Sequence, residues 1–280
     1  MNRILAAAFV LAVGVGSALA AGYDDFSRGV NANNRGDADA AILAFTTALA
    51  AGDLAAGYVP NAHFGRARAY LQKNRCAEAL ADLEEVIKLK ANNVDAYILR
   101  GAANACLNKP DAALVDFNAA IALRPSTAVF ESLAHYQWNL GLFSQAAEDY
   151  AQAAKLATKD NPHRPYIVLW HAMSADRAGT LDQAALAAAV RALDVDDWPA
   201  PLLDLYRGKT TADNVYREAA DKDAQTATNQ KCEADFYVGE WHLARKNEAA
   251  AKPLLQQAAS ECPRNFIEYS AAEVELKRLP

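Results

Sequence analysis

Apolar and polar positions interleave along most of the chain in strings such as AEALADLEEVIKLK (residues 77–90), which contain almost no strand-like alternation of β-branched residues. Alanine dominates and the 10 prolines are widely separated, so the pattern predicts helices throughout and an all-α fold. The start, MNRILAAAFVLAVGVGSALA, is different. It has one basic residue (Arg3), an uncharged run from Ile4 to Gly16, and Ala18 and Ala20 at the minus three and minus one places of an A-x-A cleavage site. That run is short for a bilayer span, so residues 1–20 are expected to be a signal peptide removed after Ala20. Ala21 stands where a lipid-modified lipoprotein would need cysteine, and no later stretch is long and apolar enough to cross a membrane. The expectation is a periplasmic protein with no membrane anchor after cleavage.

Self-comparison shows a repeat. Val94 to Thr127 places Tyr97, Gly101, Ala113, Phe117, Ala120, Leu123 and Pro125 in an order that recurs 34 residues earlier, where Pro60 to Asn93 has Ala67, Tyr70, Ala79, Leu83 and Leu89. Fainter copies follow the same frame: Gly29, Gly36, Ala41, Phe45 and Ala48; Ala134, Gly141, Ala146, Tyr150, Ala153 and Leu156; Ala172, Gly179 and Ala184; Gly239, Ala251, Leu255, Ala258 and Pro263. The pattern resembles the tetratricopeptide repeat (TPR), a 34-residue helix-turn-helix unit. Small residues in each first helix admit the second, whose alanine lies opposite and whose larger Phe45, Leu83, Phe117, Tyr150 or Leu255 fills the groove toward the next copy. One hairpin cannot bury its apolar stripe alone, so the resemblance implies a right-handed superhelical solenoid of about six repeats with a C-terminal capping helix.

The expected organisation is a signal peptide at 1–20, repeats at 22–55, 60–93, 94–127, 127–160, 165–198 and 232–265, an irregular helical linker at 199–231, and a cap at 266–280. Within the linker, PAPLLDLYRGK predicts a short helix stopped by Gly208, Thr210 with Asp213 predicts the next helix start, and the polar AQTATNQ leads into the sixth repeat. On this frame Cys76 starts the second helix of repeat two and Cys106 ends the first helix of repeat three. Cys232 starts the first helix of repeat six and Cys262 closes the second. Each pair is thirty positions apart and brings a helix start beside the end of an antiparallel neighbour. Disulfides Cys76–Cys106 and Cys232–Cys262 are therefore expected, which an oxidising compartment permits.

Charge and motifs exclude more than they specify. The formal net charge is −6, with no basic run, which argues against nucleic acid as a partner. The five histidines form no metal-ligand spacing, nucleotide and nucleophile motifs are absent, and no carboxylate pair stands out from helix surface charge. No enzyme activity, metal or cofactor is expected. In tetratricopeptide arrays the first helices line a groove that binds proteins or peptides, and the corresponding positions here are Phe26, Phe64, Arg68, Gln72, Glu131, His135, Trp138, Tyr166, Leu169, Met173 and Arg177. Lys and Asn at the clamp positions for acidic tails are replaced by Phe64, Arg68, Ile98 and Ala102. From Trp198 to Leu279, phrases such as WPAPLLDLYRG, FYVG and FIEY resemble the NlpI-type periplasmic tetratricopeptide proteins. That resemblance implies a non-catalytic envelope adaptor that gathers a protease or cell-wall hydrolases, and a homodimer. The alternative from another class is a self-assembling structural or secretion-assembly component.

Overall fold

The computed structural model describes residues 13–220 and 223–280, with side chains from residue 21 onward, and among these residues it holds fifteen α-helices and no strand. The helices divide into two compact units at Pro125 and Ser126. Unit 1 contains α1 (Val13–Asn34), α2 (Ala38–Ala50), α3 (Val59–Gln72), α4 (Cys76–Leu89), α5 (Val94–Cys106) and α6 (Pro110–Leu123). They pack as successive antiparallel hairpins, as a repeat stack requires. Of the expected signal peptide, residues 1–12 lie outside the described residues and 13–20 begin α1. No described helix is long and apolar enough to cross a membrane.

The sequence pattern sets this packing residue by residue. A Cβ on Gly29 of α1 would lie 2.8 Å from the Phe45 ring of α2, and one on Gly65 of α3 would strike the same ring, so glycine on both neighbours makes the slot that Phe45 fills. Ala41, Ala79 and Ala113 are fully buried at the matching position of each second helix. The first helices end alike: Gly36, Asn74 and Asn108 adopt positive φ, and the next residue donates its N–H to a carbonyl five positions back, as in Arg75 to Tyr70 (2.9 Å). The disulfide Cys76–Cys106 joins the first residue of α4 to the last of α5, with Cα atoms 6.2 Å apart.

Unit 2 begins with α7 (Thr127–Asn139), α8 (Phe143–Leu156), α9 (Arg164–Ala178) and the short α10 (Gln183–Arg191). Next come α11 (Ala200–Tyr206), α12 (Ala212–Glu218), α13 (Ala224–Ala244), α14 (Glu248–Glu261) and α15 (Ile267–Arg278). Three local expectations are corrected. Asp223 caps α13, so the polar AQTATNQ forms its first two turns and Cys232 lies inside that helix rather than at its start. The Cys232–Cys262 disulfide still forms, at a Cα separation of 5.1 Å, because Cys262 ends α14 beside it. Thr211, not Thr210, caps α12 by accepting the Asn214 N–H. Ala184 is exposed in the first turn of α10, whose core contacts come from Leu186 and Val190 instead.

The decisive feature of unit 2 is that α9 packs directly against α13, across 45 intervening residues. Trp138, Tyr150, Trp170, Phe236 and Tyr237 meet in one aromatic core, Trp138 lying edge-on to Trp170 at 5.3 Å. At one end, Arg177 of α9 pairs with Glu240 of α13 and with Glu275 of α15, while Arg278 pairs with Glu275 and donates to the Trp138 carbonyl at 2.9 Å. Two arginines thereby neutralise two buried glutamates and tie four helices together.

Candidate functional site

A cavity of about 380 Å³ opens in unit 2 on the side built by first helices. Glu131 and His135 reach it from α7, one helical turn apart on a shared face. Tyr150 comes from α8, Tyr166 and Trp170 from α9, Glu233 from α13, and Ile267 and Glu268 from α15, with His163 just before α9. The walls are aromatic: Tyr150 stacks on Trp170 at 5.7 Å, and His135 meets Trp170 edge-on at 5.0 Å. A larger hollow, about 510 Å³, lies between α1 and α2, but its walls are mostly exposed surface and its buried Asp25 sits against Arg28. The unit 2 cavity carries the chemistry.

Its carboxylates are held by neutral donors. Glu233 Oε2 accepts hydrogen bonds from the Tyr166 hydroxyl (2.9 Å) and the Trp198 indole N–H (2.7 Å), and Glu268 Oε1 accepts one from the Tyr237 hydroxyl (2.9 Å). Burial raises Glu233 above the usual carboxylate range, its two donors opposing the rise. Glu268 is pushed up to about 7, first by burial and then by the neighbouring charge of Glu233. Burial also raises Glu131, with His163 opposing, and holds His135 down at about 4, where it stays a neutral imidazole. Tyr166 is raised as well, by burial and by Glu233.

A census of buried acids marks this site off. Among the described residues eight carboxylates are buried, and six have a cationic partner: Asp25 with Arg28, Asp82 with Arg66, Asp116 with Arg100, Asp235 with Lys231, Glu240 with Arg177, and Glu275 with Arg177 and Arg278. Glu233 and Glu268 are the remaining two, and both line the cavity. No carboxylate pair was expected to stand out from surface charge, and the structure corrects this. The available signal was the unusual placing of acids in the apolar run CEADFYVGEW, where Glu233, Asp235 and Glu240 are all buried.

The residues proposed from sequence for a binding groove divide three ways. Glu131, His135 and Tyr166 come together in the cavity. Trp138, Leu169 and Met173 do not reach any surface: all three are fully buried, a correction that follows from α13 and α15 closing over α7 and α9. Arg177 is committed to Glu240 and Glu275. In unit 1, Phe26 packs on Phe45 and Tyr58, and Phe64 joins the alanine and leucine core, whereas Arg68 and Gln72 are exposed on α3. Sequence reasoning missed Tyr150 as a cavity wall, and Trp170, Glu233 and Glu268 as cavity residues altogether. The run Tyr166–Met173, which has no polar face, was the readable sign that α9 is covered on several sides.

The tetratricopeptide repeat model matches residues 26–93, 64–128 and 132–201, more than half of the chain. The chain belongs to the tetratricopeptide repeat family. Among solved structures, it is similar to a tetratricopeptide repeat protein from Parabacteroides merdae ATCC 43184, with 13% identity, a TM-score of 0.56, and coverage of 91% of this chain and 98% of that one. It is also similar to the Rap conjugation gene regulator of the plasmid pLS20, in complex with a peptide, with 14% identity, a TM-score of 0.55, and coverage of 99% of this chain and 81% of that one. At these identities the likeness concerns the fold. No enzyme family is indicated, and among the described residues no group of His, Cys, Asp and Glu is arranged to hold a metal.

Proposed function

We propose that this tetratricopeptide protein is a non-catalytic adaptor of the bacterial envelope, exported through its N-terminal segment and binding partner proteins or peptides through unit 2. The observation that carries the reading is the cavity itself: first-helix residues Glu131, His135 and Tyr166 converge on an open, aromatic-walled space instead of packing it shut. Two disulfides and the absence of free cysteines suit an oxidising compartment. The Rap regulator, a protein of similar fold, is held with a peptide, and the likeness of residues 198–279 to NlpI-type proteins points toward hydrolases or a protease as partners. The test is crosslinking of the tagged protein in its own envelope and identification of what co-purifies. A Glu131→Lys variant reverses one charge of the cavity without touching an ion pair. A partner captured by the wild type and lost in the variant supports the adaptor. Capture of only further copies of this chain contradicts it and favours a self-assembling structural component. N-terminal sequencing of the exported chain should begin at Ala21.

A further inference from the structure

We infer that the unit 2 cavity is a socket for a cationic side chain, a lysine or arginine, presented by the partner polypeptide; the inference rests on the adaptor reading. Among the described residues the other buried acids are neutralised by the chain's own arginines and lysines, whereas Glu233 and Glu268 are left without one and both line an open space. A buried carboxylate without a counter-charge is costly, so an arriving cation gains the attraction that the fold has left unused. Tyr166, Trp198 and Tyr237 fix the two carboxylates through one oxygen each by hydrogen bonds, and Glu233 Oε1 has no side-chain donor among the described residues. Tyr150, Tyr166 and Trp170 line the same space with aromatic rings, to which an ammonium or guanidinium is attracted. The facing imidazole of His135 is neutral and adds no competing charge, and among the described residues no lysine or arginine lines the cavity. At about 380 Å³ the space suits one long side chain and its adjoining backbone, not an extended peptide.

The test is calorimetric titration of the full chain with acetylated, amidated Gly-X-Gly peptides in which X is lysine, arginine, norleucine or glutamate. The lysine and arginine peptides should bind one to one, at least about tenfold tighter than norleucine, weakening with salt, and the glutamate peptide should not bind. Glu233→Gln with Glu268→Gln keeps the hydrogen-bond acceptors for the tyrosines and should lose about tenfold or more in lysine-peptide affinity. Glu131→Gln, at a half-buried position, should lose less, and a thermal melt checks that each variant is folded. Norleucine binding as tightly as lysine, an unchanged affinity in the folded double variant, or no binding of any peptide at millimolar concentration would overturn the inference. Free cadaverine binding as tightly as the lysine peptide would assign the socket to small amines and overturn the polypeptide source. The adaptor reading fails separately. If the double variant captures the same envelope partner in the same yield as wild type, the socket is wrong and the adaptor stands; if wild type captures none, the adaptor itself is wrong.

Discussion

Among the described residues, unit 1 pairs each of its three buried acids with a cation, whereas unit 2 does so for three of its five. In unit 1 Asp82 of α4 accepts two bonds of 2.7 Å from Arg66 of α3 and one from His63, and 34 residues later Asp116 of α6 accepts from Arg100 at 2.6 Å and from Asn104. Arginine and aspartate advance together by one repeat, so every hairpin that buries the acid also brings its cation. The net result at Asp82 is a pKa below the usual value, the bonds to Arg66 and His63 outweighing burial. In unit 2 the register runs on but the cation drops out: Asp149 occupies the next equivalent position with Leu133 in place of the arginine, and its pKa is raised by burial. Glu233 and Glu268 extend this, buried beside a cavity with tyrosine and tryptophan donors only. Paired acids hold a hairpin shut, whereas unpaired acids beside open space are available to something else.

The sharpest way to break that contrast is to remove a cation from unit 1. Arg100→Ala leaves Asp116 buried and unpaired, and should lower stability by about 3–5 kcal/mol in urea unfolding. A loss below about 1 kcal/mol would mean that the periodic pairs are not structural. Next in size, Cys76→Ala with Cys106→Ala opens a thirty-residue loop and should cost about 3–4 kcal/mol, read in the same experiment; an unchanged midpoint would show that the α4–α5 contact suffices alone.

Glu268→Gln should act in the opposite direction to Arg100→Ala. The folded protein holds the Glu268 proton up to about pH 7, whereas the unfolded chain releases it near the ordinary value of 4.5. Folding therefore loses stability as pH rises through that window, and the full cost is present above it. The glutamine variant should be about 2–3 kcal/mol more stable than wild type at pH 8 and lose this advantage near pH 4.5. The smallest effect has the reverse sign in pH. His135 is held neutral down to about pH 4 against an ordinary value of 6.5, so wild type loses stability as pH falls from 6.5 toward 4. His135→Gln should reduce that loss by about 1–2 kcal/mol, seen as a flatter melting temperature across the acid range.

Much of the fold was legible because a repeat writes its packing locally. Gly29, Phe45, Ala79, Leu83, Gly101 and Phe117 each meet a neighbour in the same or the next hairpin, and the 34-residue frame places them without long-range information. The two cysteine pairs follow from the same frame, and even the shift of the start of α13 left Cys232 beside Cys262. The cavity was only half legible. Glu131, His135 and Tyr166 lie on first helices, where a groove was expected, but Glu233 and Glu268 reach them through the packing of α9 against α13 and of α13 against α15. Nothing in the repeat period encodes that closure, since the segment between α9 and α13 departs from the repeat. The same closure buries Trp138, which by helix position shares the stripe of Glu131 and His135. Trp198, the last residue of the expected fifth repeat, is a hydrogen-bond donor to Glu233.

The central claim is that the cavity's acids are placed for a cation supplied from outside, and the protonation of Glu268 reads this most directly. Carboxyl-carbon NMR of the full chain should follow Glu268 through its titration with and without the lysine tripeptide. The groups that face it are Glu233 and Tyr237 on α13, Glu131 and His135 on α7, Tyr150 on α8, and His163 and Tyr166 at the start of α9. The account predicts a midpoint near 7 for the free protein that falls by a unit or more, roughly, when the peptide is bound, because a neighbouring cation stabilises the carboxylate. A midpoint that stays where it is at saturating peptide would contradict the account and leave Glu268 as a protonated member of the core.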